Sequence, residues 1–99
     1  MTLKTKSFDI AQHLETDEDI HLFLQETLAT GDDADFIHAL NIAARAKGMT
    51  DIAKAAGVTR PSLYKSLTDG GNPNFATVFK VAKALGCKLT VEALEVNHS

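Results

Sequence analysis

Between Ile20 and Leu85 the apolar residues of this chain recur at intervals of three and four, and glycines interrupt them at Gly31, Gly48, Gly57, Gly70-Gly71 and Gly86. That spacing predicts five helices separated by short breaks. Thr16, with Asp19 three residues on, reads as the capping box of the first, and Ile20, Phe23, Leu24, Thr27 and Leu28 as its inward stripe. Asp32 or Asp33 caps the second, whose inward face is Phe36, Ile37, Leu40 and Ala43 or Ala44 and which ends at Lys47-Gly48. Arg45 and Lys47 in its last turn suit the negative end of the dipole, with a phosphate contact as the alternative. Thr50 is placed as the cap of a short third helix carrying Ile52, Ala53 and Ala56; Gly57 stops it and Val58 follows as a buried turn residue. Thr59 caps the fourth, with Pro61 in its first turn and Leu63 and Leu67 inward. Asn74 or Pro73 opens the fifth, with Phe75, Val78, Phe79, Ala82 and Leu85 on one face.

The ends differ from this body. Residues 1–6 are expected to form a flexible arm, and Phe8, Ile10, Ala11 and Leu14 a turn or two of helix. After Gly86, Lys88, Thr90 and Glu92 alternate with Leu89, Val91 and Ala93, which predicts a strand within residues 88–96. A lone strand leaves its backbone unpaired, so the same strand of a second copy across a twofold axis is one expected partner; an extended tail, or a short hairpin with a residue near the N-terminus, is the alternative. The fold class is therefore all-α with a C-terminal β-strand, and residues 1–99 are expected to make one domain.

Met49 to Thr68 carries the functional signal. Two short helices crossing steeply need a small residue at the contact, which Ala53 supplies, and a turn residue tolerant of positive φ, which Gly57 supplies. Around them Ile52, Ala56, Val58 and Leu63 fall at the spacing of a helix-turn-helix, although Ser66, with Leu67 beside it, stands where a further apolar residue is expected. In that motif the second helix enters the major groove with its N-terminal turn leading. Arg60 is the candidate for bidentate contact with guanine, and Pro61, Ser62 and Lys65 complete the base-reading set. Thr50, Lys54, Thr59 and Tyr64 are candidate phosphate contacts, together with Gly71 and Asn72 of the loop DGGNPN.

The net charge of −3 first argues against nucleic acid, but the average hides a polarity. Residues 1–44 carry Lys4 and Lys6 against nine carboxylates, a net of −7, while residues 45–99 carry eight cations against four carboxylates, a net of +4. The basic half can meet phosphate; the acidic half can meet a cationic protein or stay solvated. Cys87 is alone, so no disulfide framework exists, and a buried reduced thiol is expected. His13, His21, His38 and His98 are scattered without metal-ligand spacing, and GGNP lacks the residues of a phosphate-binding P-loop. Neither an enzyme, a metal site nor a cofactor is expected. No apolar run approaches the roughly 20 residues of a membrane span and Met1 to Ser7 lacks the apolar middle of a signal peptide, so the expected location is the cytoplasm.

With these residues in place the chain resembles the short helix-turn-helix antidote (antitoxin) proteins of addiction modules, a branch of the phage-repressor-like superfamily. The likeness runs from FDIAQHL through EDIHLFLQETLATGD, FIHALNIAARAKGM and GVTRPSLYKSL to GNPNFATVFKVAKALG and KLTVE. It implies a dimer that binds its own operator, represses its own operon and binds a small basic RelE-like toxin encoded beside it. An alternative function is a toxin-neutralising interaction module with weak or no DNA binding. The family usually carries a neutral polar residue where this chain has Asp51, and a polar one where it has Pro61, so neither that phosphate contact nor the operator sequence carries over.

Overall fold

A computed structural model describes residues 10–68 and 71–94. Among them are five α-helices, α1 (Asp17–Thr30), α2 (Asp33–Lys47), α3 (Met49–Ala56), α4 (Arg60–Leu67) and α5 (Phe75–Ala84), preceded by one 3-10 turn over Ile10–His13. The expected arm over residues 1–6, Phe8, and Asp69 and Gly70 of the loop lie outside the described residues.

The second helix is the hub. Its middle, Ala39 to Ala44, is buried, because α1, α3, α4, α5 and the 3-10 turn all pack against this helix. Four of those six residues are alanine or asparagine, and their small side chains let several helices approach one axis. Asp32 caps α2 through a reciprocal pair: its carboxylate accepts from the Asp35 amide at 2.9 Å, and the Asp35 carboxylate accepts from the Asp32 amide at 3.0 Å. Thr16 and Asp19 make the same exchange at the start of α1.

Lys47, in the last turn of α2, donates to Asp17 in the first turn of α1, so the two ends are clasped by an ion pair. The hydrogen bond from Lys47, and then its charge, hold the Asp17 carboxyl below its ordinary value of 3.8. A depressed carboxylate stabilises the fold above the unfolded value and stops doing so as pH falls through the folded one. Lys47→Ala is therefore expected to return the Asp17 titration, read by NMR, toward 3.8, and to leave stability near neutral pH almost unchanged, since the pair is exposed.

Four expectations from sequence are corrected. Gly48 ends α2 and immediately precedes α3, so Thr50 is the second helical residue of α3 and not its cap. Leu28 is 59% exposed, because α1 meets α2 through Ile20, Phe23, Leu24 and the half-buried Thr27, whose hydroxyl is turned back onto the Phe23 carbonyl. Phe75 and Phe79 are exposed: α5 buries Val81, Ala82 and the following Leu85, with Val78 packed beside them, which turns the two phenyl rings outward. The rings lie 5.9 Å apart, with Lys83 Nζ 5.4 Å from the centre of Phe79. Finally, residues 88–94 form no strand, and Val91 is 99% exposed; 95 and 96 lie outside the described residues. Period-two patterning makes a strand only where a neighbouring strand accepts its hydrogen bonds, and no other described segment is one.

Candidate nucleic-acid interface

Between α3 and α4 the chain turns in three residues, Gly57 to Thr59. Gly57 takes the left-handed conformation at φ 75° and ψ 28°, and the Val58 amide reaches back to the Ala53 carbonyl at 3.0 Å, closing the end of α3. Ala53 and Ala56 are buried at this crossing, and Val58 is half-buried. Thr59 then caps α4, its hydroxyl oxygen accepting from the Ser62 amide at 3.2 Å. Pro61 has no amide to satisfy, and the Leu63 amide is held by the Thr59 carbonyl at 2.9 Å.

Two leucines hold α4 in place. Leu63 and Leu67 are fully buried, while Arg60, Pro61, Ser62, Tyr64 and Lys65 are all exposed. Ser66 is half-buried and donates from its hydroxyl to the Ser62 carbonyl at 2.8 Å, which spares a polar side chain from needing a partner in the core. The far end of the helix is fixed by Asn41, the buried polar side chain of α2, whose amide nitrogen donates to the Leu67 carbonyl at 3.0 Å. Sequence reasoning passed over Asn41; the signal was a single polar residue inside the apolar run ALNIAA.

Beside α4 an open cleft of about 400 Å³ is lined by Ser62, Lys65, Ser66 and, from the following loop, Gly71, Asn72 and Pro73. Asn74 and Thr77 close it, the Asn74 side-chain Oδ1 capping α5 by accepting from the Thr77 amide at 2.9 Å. The structure thus gathers Ser62, Lys65, Gly71 and Asn72 from the expected set around one concavity. Arg60, Pro61 and Tyr64 are exposed on α4 outside its lining, and Thr50 and Lys54 are exposed on α3, next to the exposed Asp51. Gly71 is there for closeness: a Cβ on it would lie 2.6 Å from the Lys65 carbonyl oxygen. Its amide already donates to the Thr68 carbonyl at 2.8 Å. Lys65, Asn72 and Ser62, all exposed, are side chains of the lining that can donate to an anion in the cleft.

These features define a small all-helical protein that offers one short, polar, cation-bearing helix on two buried leucine anchors. Over residues 4–93 the chain matches the family model described as "Probable addiction module antidote protein", and it belongs to that family. It is 46% identical over 92 residues to an uncharacterized protein of Haemophilus influenzae (strain ATCC 51907 / DSM 11121 / KW20 / Rd), covering 93% of this chain and 95% of the relative. No solved structure matches. Membership in this family supports an antitoxin role in an addiction module and implies a toxin as the partner. Among the described residues no helix is long and apolar enough to cross a membrane, and no group of three His, Cys, Asp or Glu residues could hold a metal ion.

Proposed function

We propose that this antitoxin is also a sequence-specific DNA-binding repressor of its own operon, with α3 and α4 as a helix-turn-helix of the phage-repressor type. The observation that supports this is the disposition of α4: every residue assigned to base reading faces solvent, and the only buried side chains of the helix are Leu63 and Leu67. Arg60 reads guanine from the leading turn, Pro61 and Ser62 touch neighbouring base edges, and Lys65 lies between base and phosphate. Lys54, Thr50, Thr59 and Asn72 flank that helix as phosphate contacts, Tyr64 contacts phosphate from the helix itself, and Gly71 keeps the loop close. Eight residues read only a few base pairs, so the protein acts as a homodimer on a pseudo-palindromic operator, with half-sites about 34 Å apart. It works in the cytoplasm, without catalysis or cofactor, and its partner is a small basic toxin of the RelE-like type.

The test is a fluorescence-anisotropy titration against duplex from the chain's own promoter and against a scrambled duplex, at several salt concentrations. Arg60→Ala is expected to cost about 1–3 kcal/mol on the promoter duplex and to leave the scrambled one nearly untouched. Lys54→Ala is expected to weaken both alike and to flatten the logarithmic salt slope by about 0.9. Equal affinity of the unaltered protein for both duplexes would remove the base-reading role. One observation favours a second reading, in which toxin neutralisation remains and operator binding is weak: Asp51, exposed between Thr50 and Lys54, places a carboxylate where a phosphate would approach.

A further inference from the structure

A second concave surface lies away from α4. On the outer side of α1 a groove of about 440 Å³ runs between that helix and the segment after α5. Glu18, Leu22, Gln25 and Leu28 of α1 form one wall; Cys87 and Leu89 belong to the other, and Phe36 and Ala82 also line it. His21 ties the walls together: its Nε2 donates to the Leu85 carbonyl at 3.1 Å, and the next residue, Gly86, is close enough that an added Cβ would lie 3.3 Å from the same nitrogen. Leu22 and Leu28 both stay more than half exposed in this groove. Two large exposed leucines sharing an apolar groove mark a surface that a partner covers.

Charge narrows the occupant. The first helix carries Asp17, Glu18, Asp19 and Glu26 with no lysine or arginine, and α2 opens with Asp33 and Asp35 after the Asp32 cap. Glu18 and Lys88 are the carboxylate and the lysine of the lining itself, and the surplus of negative charge comes from the rest of α1 and the start of α2 around it. A second copy of this chain docked α1 to α1 would bring eight carboxylates together, and a duplex would bring phosphate to the same rim, so both are disfavoured. What complements the groove is a partner segment with an apolar stripe flanked by lysine or arginine. The α1 wall offers residues 18, 22, 25 and 28, a rise of about 15 Å, which matches two to three turns of helix laid alongside with apolar anchors at helical spacing.

We propose that the groove between α1 and residues 86–89 is the docking site for a cationic amphipathic helix of the toxin, with Leu22 and Leu28 as the apolar contacts and Glu18 as the acidic one. This rests on the antidote reading but not on operator binding. It places the toxin against α1 and the segment after α5, so the operator and the toxin are held by different elements of one molecule.

The probe is the purified product of the gene adjacent to this one, titrated against the full-length protein by calorimetry. Leu22→Glu, an exposed position whose change spares the core, is expected to weaken that complex roughly thirtyfold or more. Glu18→Lys is expected to weaken it roughly threefold to tenfold at low salt and less at high salt. Phe79→Asp, on the exposed face of α5, is expected to bind the toxin like the unaltered chain. Cys87 is the chain's single cysteine and lines the groove, so its alkylation by a maleimide is expected to slow at least about tenfold when the partner is bound. A partner that binds the unaltered chain and Leu22→Glu equally, or that leaves Cys87 alkylation unchanged, overturns the groove while the antidote reading stands. A neighbouring product that does not bind the unaltered chain at all overturns both. If Leu22→Glu loses promoter binding in parallel with toxin binding, at unchanged melting temperature, the proposed separation of surfaces is wrong.

Discussion

Leu63→Ala is expected to cost about 2–5 kcal/mol of folding free energy, against a total that for a chain of this size is of order 5–15 kcal/mol. Leu63 is fully buried in the packed core. Its removal leaves a cavity between α4 and the helices it packs on, α2 and α3. Those neighbours cannot close in readily: Ala43, Ala44, Ala53 and Ala56 are already small and in contact across the helix crossings. A thermal melt by circular dichroism should show the midpoint falling by about 10 °C or more, since each kcal/mol is worth roughly 4–8 °C in a domain of this length. Lys65→Ala, two residues further along the same helix and exposed, is expected to move stability by no more than about 0.5 kcal/mol. The pair of variants separates anchoring from reading. An alanine at 63 that melted like the parent would mean α4 is not held by that leucine, and the geometry assigned to Arg60 would lose its support.

What the sequence revealed, and what it hid, divides by the distance over which each interaction acts. The capping box at Thr16–Asp19 and the cap at Thr59 are legible because both partners lie within one turn, and the caps of α2 and α5 are legible to within a residue, as Asp32 or Asp33 and as Asn74 or Pro73. The turn at Gly57 is legible for the same reason. Thr50 misled because capping propensity is a property of the residue alone, whereas the start of α3 is set by how α2 ends: the Gly48 amide closes onto Ala44 and its carbonyl takes the Ile52 amide. Periodicity placed Phe75 and Phe79 inward because it weighs apolarity and not direction; the Val78, Val81, Ala82 and Leu85 face won the core and turned both rings out. Asn41 was invisible in another way, since its partner carbonyl at Leu67 lies 26 residues along the chain. For the candidate interface, the exposed residues of α4 follow from the positions of Leu63 and Leu67. The meeting of Gly71 and Asn72 with Ser62 and Lys65 depends on how the loop folds back, which no local pattern reports.

That fold-back makes Gly71→Ala the second large effect to expect. A methyl group at Gly71 would lie 2.6 Å from the Lys65 carbonyl oxygen and closer still to that of Ser66, both backbone atoms of α4 that cannot swing aside as a flexible side-chain tip would. The loop must move, stretching the 2.8 Å hydrogen bond from the Gly71 amide to Thr68, at a cost of about 1–3 kcal/mol. A useful contrast is Gly57→Ala. Nothing lies within 4 Å of a Cβ there, so its cost is the conformational one of a left-handed alanine, about 1 kcal/mol, without displacement of the cleft. The two glycines therefore fail in different ways. Hydrogen exchange should show the amide at position 71 losing protection in Gly71→Ala and keeping it in Gly57→Ala. Because Asn72 and Lys65 move apart when the loop lifts, Gly71→Ala should also bind promoter and scrambled duplex more weakly by the same factor, the signature of a lost phosphate contact rather than a lost base contact. Undiminished binding to both duplexes, with the amide at 71 deprotected, would show that the cleft beside α4 plays no part in holding DNA.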